Sequence, residues 1–394
     1  MASSRLISPL PPTDDRFWTD PGPRLLLAES VPDLDQALVA ALAAGVPPDA
    51  VVFASSGSTG NPKLTVLTRE ALLRSARQVA DWLALTPADR QLCVLPLFHV
   101  GGLGIVARSR VSGAGLVLDH GRWDPQRFAR TCADESISVT SLVPTQVFDL
   151  VDLGVRAPRS LRTVVVGGGA LDGELESEAR HLGWPVLASF GMTETASMVA
   201  TEKPGLAAPG PGWLPVIDGW EASVHREGTL RLRGPALFSG RLVPSASVPG
   251  GWVFVPVDLD DGWFATADLA EVETDARGQC WLRPTGRTDD AVKIRGELVS
   301  LSKAQDEIDG LALARGLDPR CCAVIDLPDA RTGARLVLAG ERQVAQHLEP
   351  LVEAFNRRAP AFARIEGRTV VETLPRSPLG KLRRTELKRL AGGT

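Results

Sequence analysis

The hydrophobic pattern of this chain changes character twice. Residues 51–56 (VVFASS) form a short apolar run that dissolves into Gly, Ser and Thr, as expected of a buried strand entering a loop. Residues 69–85 return apolar side chains at helical spacing behind Thr68, which predicts a helix capped by that threonine. Strand-like runs follow at 93–98, 115–119, 138–144, 162–169 and 185–191, with helical stretches at 145–153 and 172–182 between them. Such alternation predicts an α/β core around a parallel sheet. A further amphipathic helix is expected near 32–45, stopped by Gly45 and Pro47.

From about residue 213 the texture shifts to short alternating strands with turn residues, predicting a β-rich subdomain over 213–287. After GRTDD (286–290) helices expected at 302–315 and 343–358 mix with strands. The expected architecture is α/β. It has a large N-terminal domain, 1–287, of mixed and parallel sheets with helices plus the β-rich subdomain. A small mobile α+β C-terminal domain, 288–394, follows.

Composition narrows the class. A chain of 394 residues that is 44% hydrophobic can bury a large core without staples. A net charge of −4 offers no basic field for nucleic acid or an anionic membrane. No apolar run is long enough for a transmembrane helix, and the N-terminus shows no apolar signal-peptide segment. Five scattered cysteines match neither a disulfide framework nor a zinc spacing, so cytoplasm is the expected compartment. Tyrosine is absent, which excludes phenolic acid–base chemistry. Only 6 lysines stand against 37 arginines. GC-rich coding accounts for that bias, but not for three lysines (Lys63, Lys293 and Lys381) in segments that read as loops.

Four stretches carry candidate chemistry. Ser55-Ser56-Gly57-Ser58-Thr59-Gly60-Asn61-Pro62-Lys63 could wrap an anion in N–H and O–H donors beside one ammonium, or be a polar turn. It is not a Walker loop, because Gly60 is followed by Asn-Pro-Lys and then Leu64. Phe190-Gly191-Met192-Thr193-Glu194-Thr195 follows an expected strand. Its carboxylate could bind Mg²⁺ and its ring could stack on a base, or the segment could simply start a helix. Asp268, in GWFATADL, could hold ribose hydroxyls with Arg287, in GRTDD, or both could be solvated hairpin charges. Lys381, in PRSPLGK, sits on a Pro/Gly-bounded loop that could deliver it to a site, or belongs to a basic tail.

Together, in this order, these motifs resemble the acyl- and aryl-adenylate-forming enzymes, over roughly residues 51–390. SSGSTGNPK matches the family's SSGTTGxPK, FGMTE its YGMTE, GWFATADL its GWxxTGDL, and GRTDDAVK its GRxDDxIK. PRSPLGKLRR matches PRTxxGKxxR. Within that superfamily the chain is most similar to the o-succinylbenzoate–CoA ligases, through LPLFHVGGLG (95–104), Arg108-Ser109, SLVPTQ and VVVGGGAL. Several positions depart from the pattern. Leu64 and Ala267 replace glycines, KIRGELVS (293–300) replaces an ISGGENV-like segment, and only about 50 residues precede the phosphate loop.

The resemblance implies an AMP-forming acid–thiol ligase using ATP, Mg²⁺ and coenzyme A in menaquinone or phylloquinone synthesis. Another aryl- or acyl-CoA ligase, or a carrier-loading adenylation enzyme, is the alternative. It implies that the 55–63 loop cradles the β/γ-phosphates, Thr193 touches the α-phosphate and Glu194 holds the metal. Gly168, Gly169, Ala170 and Phe190 flank adenine beside Gly191 and Met192, and Asp268 and Arg287 hold ribose. Lys381 bridges carboxylate and phosphate, Asp289 is the hinge, and Lys293, Arg295 and Gly296 lie by CoA. His99 gates the acyl pocket or is a packed structural histidine. Arg108 meets a second substrate carboxylate or is a surface cation. Thr195 and Ser197 would line the same pocket. The implied partners are small molecules, with a homodimer compatible with the reading.

Overall fold

A computed structural model describes residues 10–26, 45–55, 63–225, 228–245, 252–288, 291–294, 297–329, 331–376 and 382–392. The helix expected at 32–45 lies outside the described residues except for its end at Gly45. In chain order, α1 (Asp15–Thr19), β1 (Arg24–Leu26), β2 (Ala50–Ser55) and β3 (Lys63–Thr68) lead into α2 (Arg69–Trp82). The alternating block is β4 (Arg90–Cys93), α3 (Val100–Ser112), β5 (Gly115–Leu118), α4 (Pro125–Asp134), β6 (Val139–Leu142), α5 (Pro144–Asp152), β7 (Thr163–Val166), α6 (Gly173–His181), β8 (Val186–Gly191) and β9 (Met198–Thr201). Strands alone follow: β10 (Leu214–Pro215), β11 (Glu221–Val224), β12 (Thr229–Arg233), β13 (Gly240–Pro244), β14 (Trp252–Pro256), β15 (Phe264–Thr274) and β16 (Cys280–Arg287). The last segment holds β17 (Ala291–Ile294), β18 (Glu297–Ser300), α7 (Leu301–Leu313), β19 (Cys322–Asp329), β20 (Gly333–Glu341), α8 (Leu348–Asn356), β21 (Ile365–Val371) and α9 (Arg384–Gly392).

The alternating block closes into a six-stranded sheet, β5-β4-β6-β7-β8-β9, parallel except for β9. Its central strands, VTSL and TVVV, are buried along their whole length, as strands covered on both faces must be. Two further sheets, β1-β2-β3-β13-β14 and β10-β16-β15-β12-β11, pack against α2 and α3 through Phe53, Leu103, Val199, Leu230 and Leu282. Residues from Ile294 onward surround a core of their own, built on Ile308, Leu336, Leu338, Leu351 and Phe355.

Local chemistry explains most boundaries. Thr68 caps α2 by accepting a hydrogen bond from the Ala71 N–H at 2.9 Å. Gly113, at φ +75°, ends α3 in the left-handed conformation that glycine adopts without strain. The β15–β16 hairpin turns on Asp275, whose carboxylate accepts from the N–H groups of Arg277 (2.9 Å) and Gln279 (3.0 Å), with Gly278 at φ +82°.

Two expectations are corrected. The strand expected at 93–98 ends at Cys93, because Pro96 lacks the N–H a ladder needs and 94–99 turns instead into α3. Lys63 and Lys293 are not on loops: their backbones open β3 and lie in β17, paired with Ser55 and Leu298.

Candidate active site

Ligand crevices of open α/β sheets lie beyond the carboxyl ends of the parallel strands, and here β7 and β8 deliver the candidate residues there. After β7 the chain runs through Gly167, Gly168 and Gly169. Gly168 sits at φ +81°, and a Cβ on Gly169 would lie 3.5 Å from the Pro144 ring that opens α5. Gly168, Gly169 and Ala170 are exposed at this edge, next to the half-buried Phe190.

At the end of β8, Gly191 is obligatory: a Cβ there would lie 2.2 Å from the Ser197 carbonyl. That closeness lets the chain double back through a single 3₁₀ turn, Thr193–Thr195, into β9. The Thr195 hydroxyl accepts from the Met192 N–H at 3.1 Å and donates towards the Ser197 carbonyl at 2.8 Å. Fully buried, it locks the turn and is not a pocket-lining group; its place is to hold Thr193 and Glu194. The Glu194 carboxylate pairs with the Arg241 guanidinium at 2.8 Å, and the Glu194 carbonyl accepts from the Phe238 N–H at 2.8 Å. Arg241 also lies 4.8 Å from the Phe238 ring centroid. On β13, Arg241 is the register partner of Thr65 on β3, the strand that leaves the candidate phosphate loop. Arg241 thus joins two motifs distant in sequence. Nothing in its local sequence, FSGRLVP, marks it; only the β3–β13 pairing does.

The β2–β3 hairpin closes with Ser55 opposite Lys63. Ser56, Gly57, Ser58, Thr59 and Gly60 lie outside the described residues, as do Asp289, Arg295, Gly296 and Lys381, and the side chains of Ser55, Lys63 and Lys293. The base of the Lys381 segment is described: Arg376 and Leu382 form a β-bridge across it.

Asp268 and Arg287 are brought together directly. The Asp275 turn sets their strands in a register that puts them opposite each other, and the Arg287 Nη1 donates to the Asp268 Oδ1 at 2.9 Å. Thr266 steadies the aspartate from below, its Oγ1 accepting from the Asp268 N–H at 3.0 Å and donating to the Leu230 carbonyl at 2.9 Å.

A second cluster surrounds α3. Arg108 is only 2% exposed. Its Nη2 donates to the Ser141 hydroxyl at 3.1 Å, and its Nε faces the Gln91 side-chain oxygen at 3.5 Å. Gln91 is itself held by donating to Ser109 at 2.8 Å. Burial pushes the Arg108 guanidinium down to about 10, which leaves it charged at neutral pH. Among the described residues no carboxylate pairs with it. Gly104 lies between Arg108 and Ser197: a Cβ built on it would be 3.6 Å from Arg108 Nη1 and 3.5 Å from Ser197 Oγ. Arg108 and Ser197 therefore converge three residues beyond Glu194. His99 caps α3 with its backbone, stands half-buried against Phe98 with ring centroids 4.6 Å apart, and is held below its ordinary pKa by burial. Sequence reading missed Gln91 and Ser141, which lie on neighbouring strands of the parallel sheet.

Among the described residues no three metal-ligating side chains cluster. A single carboxylate at Glu194 suits a magnesium ion held mainly by phosphate oxygens and water. No helix among the described residues is long and apolar enough to cross a membrane.

The model of the AMP-binding enzyme family matches residues 23–241, more than half of the chain. The chain belongs to the AMP-binding enzymes. This AMP-binding enzyme is 32% identical over 236 residues to the 2-succinylbenzoate–CoA ligase of Bacillus licheniformis, a match covering 57% of this chain and 48% of the relative. It is 28% identical over 349 residues to that of Listeria monocytogenes serotype 4b, covering 86% and 69%. It is 30% identical over 363 residues to the indoleacetate–CoA ligase of Aromatoleum aromaticum, covering 85% and 66%. The matches thus span from about half to about two thirds of these relatives. Among solved structures, o-succinylbenzoate CoA synthetase from Bacillus subtilis with the acyl-adenylate intermediate OSB-AMP superposes with a TM-score of 0.69 at 25% identity, covering 86% of this chain and 68% of the other. The same synthetase with ATP and magnesium gives 0.71 at 24% identity, a likeness of fold.

Proposed function

We propose that this AMP-binding enzyme joins a carboxylic acid to the thiol of coenzyme A through an acyl-adenylate, and that its acid is an aromatic diacid of the o-succinylbenzoate kind. The observation that carries the diacid is the buried Arg108 cation, partnered by neutral Ser141 and Gln91 and facing Ser197. A buried charge without a counter-ion is costly, several kcal/mol on general grounds, and a substrate carboxylate would offset that cost.

In the first step an oxygen of the acid's other carboxylate attacks the α-phosphorus of ATP. The bond from the α-phosphorus to the bridging oxygen breaks, and pyrophosphate leaves. Charge builds on the phosphate oxygens, so positioned donors and cations lower the barrier. Thr193 and Lys381 are assigned to that charge, with the 55–63 loop on the departing phosphates and Asp268–Arg287 holding the ribose. Glu194 would hold magnesium, which supplies charge neutralisation on the phosphates. In the second step the thiolate attacks the acyl carbon, the bond from acyl carbon to phosphate oxygen breaks, and AMP leaves. The division into 1–287 and a lid 288–394 hinged near Asp289 belongs to this reading, with Lys293, Arg295 and Gly296 near the pantetheine.

The indoleacetate–CoA ligase match, at 30% identity over 85% of this chain, favours a second reading in which the acid is an aryl monoacid. A panel of acids with ATP, coenzyme A and pyrophosphate readout separates the two. o-Succinylbenzoate should exceed benzoate, indoleacetate and fatty acids by at least tenfold in kcat/KM. Equal rates would remove the diacid reading, and no pyrophosphate release with any acid would remove the ligase reading.

A further inference from the structure

A dense junction between the two halves of the molecule lies away from the residues assigned above. The guanidinium of Arg320, just before β19, reaches α5 of the large domain and pairs with Asp149 Oδ1 at 2.6 Å, 171 residues away in sequence. The other oxygen of that carboxylate accepts from the Trp123 indole N–H at 2.9 Å. The guanidinium carbon lies 4.4 Å from the Phe148 ring centroid. Within its own domain Asp318 grips the opposite edge of the fork, with both carboxylate oxygens 3.1 Å from Arg320 Nε. Arg320 and Asp149 are 33% and 25% exposed, so solvent screens the pair less than it screens a surface bridge. A planar, pre-oriented fork between two carboxylates and a ring is an arrangement that lysine could not reproduce.

The junction continues into the segment bearing Lys381. Arg376 Nη2 donates to the Arg320 carbonyl at 2.6 Å. Arg376 is also one half of the β-bridge to Leu382, and the Arg383 N–H donates to the Pro375 carbonyl at 2.8 Å beside it. The described residues flanking 377–381, Arg376 on one side and Leu382 and Arg383 on the other, are therefore bonded into one base attached to Arg320. On the other side, α5 begins at Pro144, which packs on Gly169 of the glycine turn after β7.

We propose that Arg320 is a positioning residue: clamped to Asp149 and Phe148, and carrying Arg376 on its carbonyl, it fixes against the large domain the base from which Lys381 is presented. The clamp itself stands on the contacts above; its catalytic consequence rests on the ligase reading. The consequence is specific. Adenylate formation, which uses Lys381, depends on the clamp, whereas thiol attack on a preformed adenylate does not.

The test compares wild type with Arg320→Ala, Asp149→Ala, the double variant and Arg320→Lys. Pyrophosphate exchange should fall about tenfold in each alanine variant, the loss expected for one charged hydrogen-bonded pair. The double variant should fall no further, because the two residues act as one unit. Arg320→Lys should recover only part. Thioester formation from supplied o-succinylbenzoyl-adenylate should stay within about twofold of wild type, which a merely structural loss would not allow. In parallel, energy transfer is measured between dyes on Leu153→Cys and Val370→Cys, exposed sites on the two domains, in a Cys280→Ser background. The distance distribution should broaden in Arg320→Ala. Equal loss in both half-reactions, additive losses, or an unbroadened distribution would overturn the proposal. Absence of exchange in wild type with every acid would remove the ligase reading instead, and the energy-transfer arm would still decide the clamp.

Discussion

Glu194 and Arg241 form a 2.8 Å ion pair across 47 residues of sequence, and the pair ties the turn after β8 to the strand beside β3. The carboxylate assigned to magnesium is thus already neutralised by a cation of the protein. On the ligase reading, a magnesium ion arriving with ATP would compete with Arg241 for it. Arg241→Ala should therefore lower the magnesium concentration at which ATP protects the protein from heat, while reducing Tm without ligand by a few degrees. Thermal shift with ATP across a magnesium series checks this. A higher magnesium requirement would show that Arg241 supports metal binding.

Arg108→Ala removes the cation and leaves Ser141 and Gln91 without their donor. On the diacid reading, KM for the acid should rise at least tenfold, with KM for ATP changed less than twofold, consistent with about 1.5–3 kcal/mol for a charged hydrogen bond. Steady-state kinetics with each substrate varied separately decides it. Parallel rises in both constants would make Arg108 a structural residue.

Asp268→Asn keeps the shape of the site proposed for ribose but removes the charge that orients Arg287. The expected result is a roughly tenfold to hundredfold weaker binding of ATP and AMP, with little change in the affinity for the acid. Calorimetric titration with AMP reads it without any turnover. Unchanged AMP affinity would move the ribose elsewhere.

Lys381→Ala should cripple pyrophosphate exchange, by about a thousandfold if the ammonium stabilises the transition-state charge as oxyanion donors do. Thioester formation from supplied acyl-adenylate should be largely spared. Losses of similar size in both half-reactions would count against a lysine used in one step only.

Asp309, on the face of α7 towards Arg376, has its carboxyl pushed up to about 7 by burial, with the Gln305 hydrogen bond at 2.7 Å opposing the shift. The folded state then holds the proton more tightly than the unfolded chain. That contribution to stability is complete below the ordinary carboxylate range and is lost as pH rises through about 7. Tm should fall between about pH 5 and about pH 8, and Asp309→Asn should flatten that slope. Calorimetric scans across this range test it; an unchanged slope in Asp309→Asn would assign the dependence to other groups.

By itself the sequence determined features whose causes are local. Thr68 caps α2, Asp275 and Gly278 turn a hairpin whose register aligns Asp268 with Arg287, and Gly191 lets FGMTE double back. Each follows from side chains within a few residues; of the three, the Thr68 cap is read from helical spacing, whereas the Asp275 turn and the reversal at Gly191 are not. The 93–98 run misled because apolar content alone does not distinguish a strand from a packed turn, and Pro96 removes a ladder donor. Only the tertiary structure decided the partners. Arg241 reaches Glu194 because β13 pairs with β3, Arg108 is buried because α3 packs on β4 and β6, where Gln91 and Ser141 meet it, and Arg320 finds Asp149 because two separate cores dock. Strand order and domain docking arise from burying apolar faces, which is non-directional, so no short stretch of chain encodes which charges will meet.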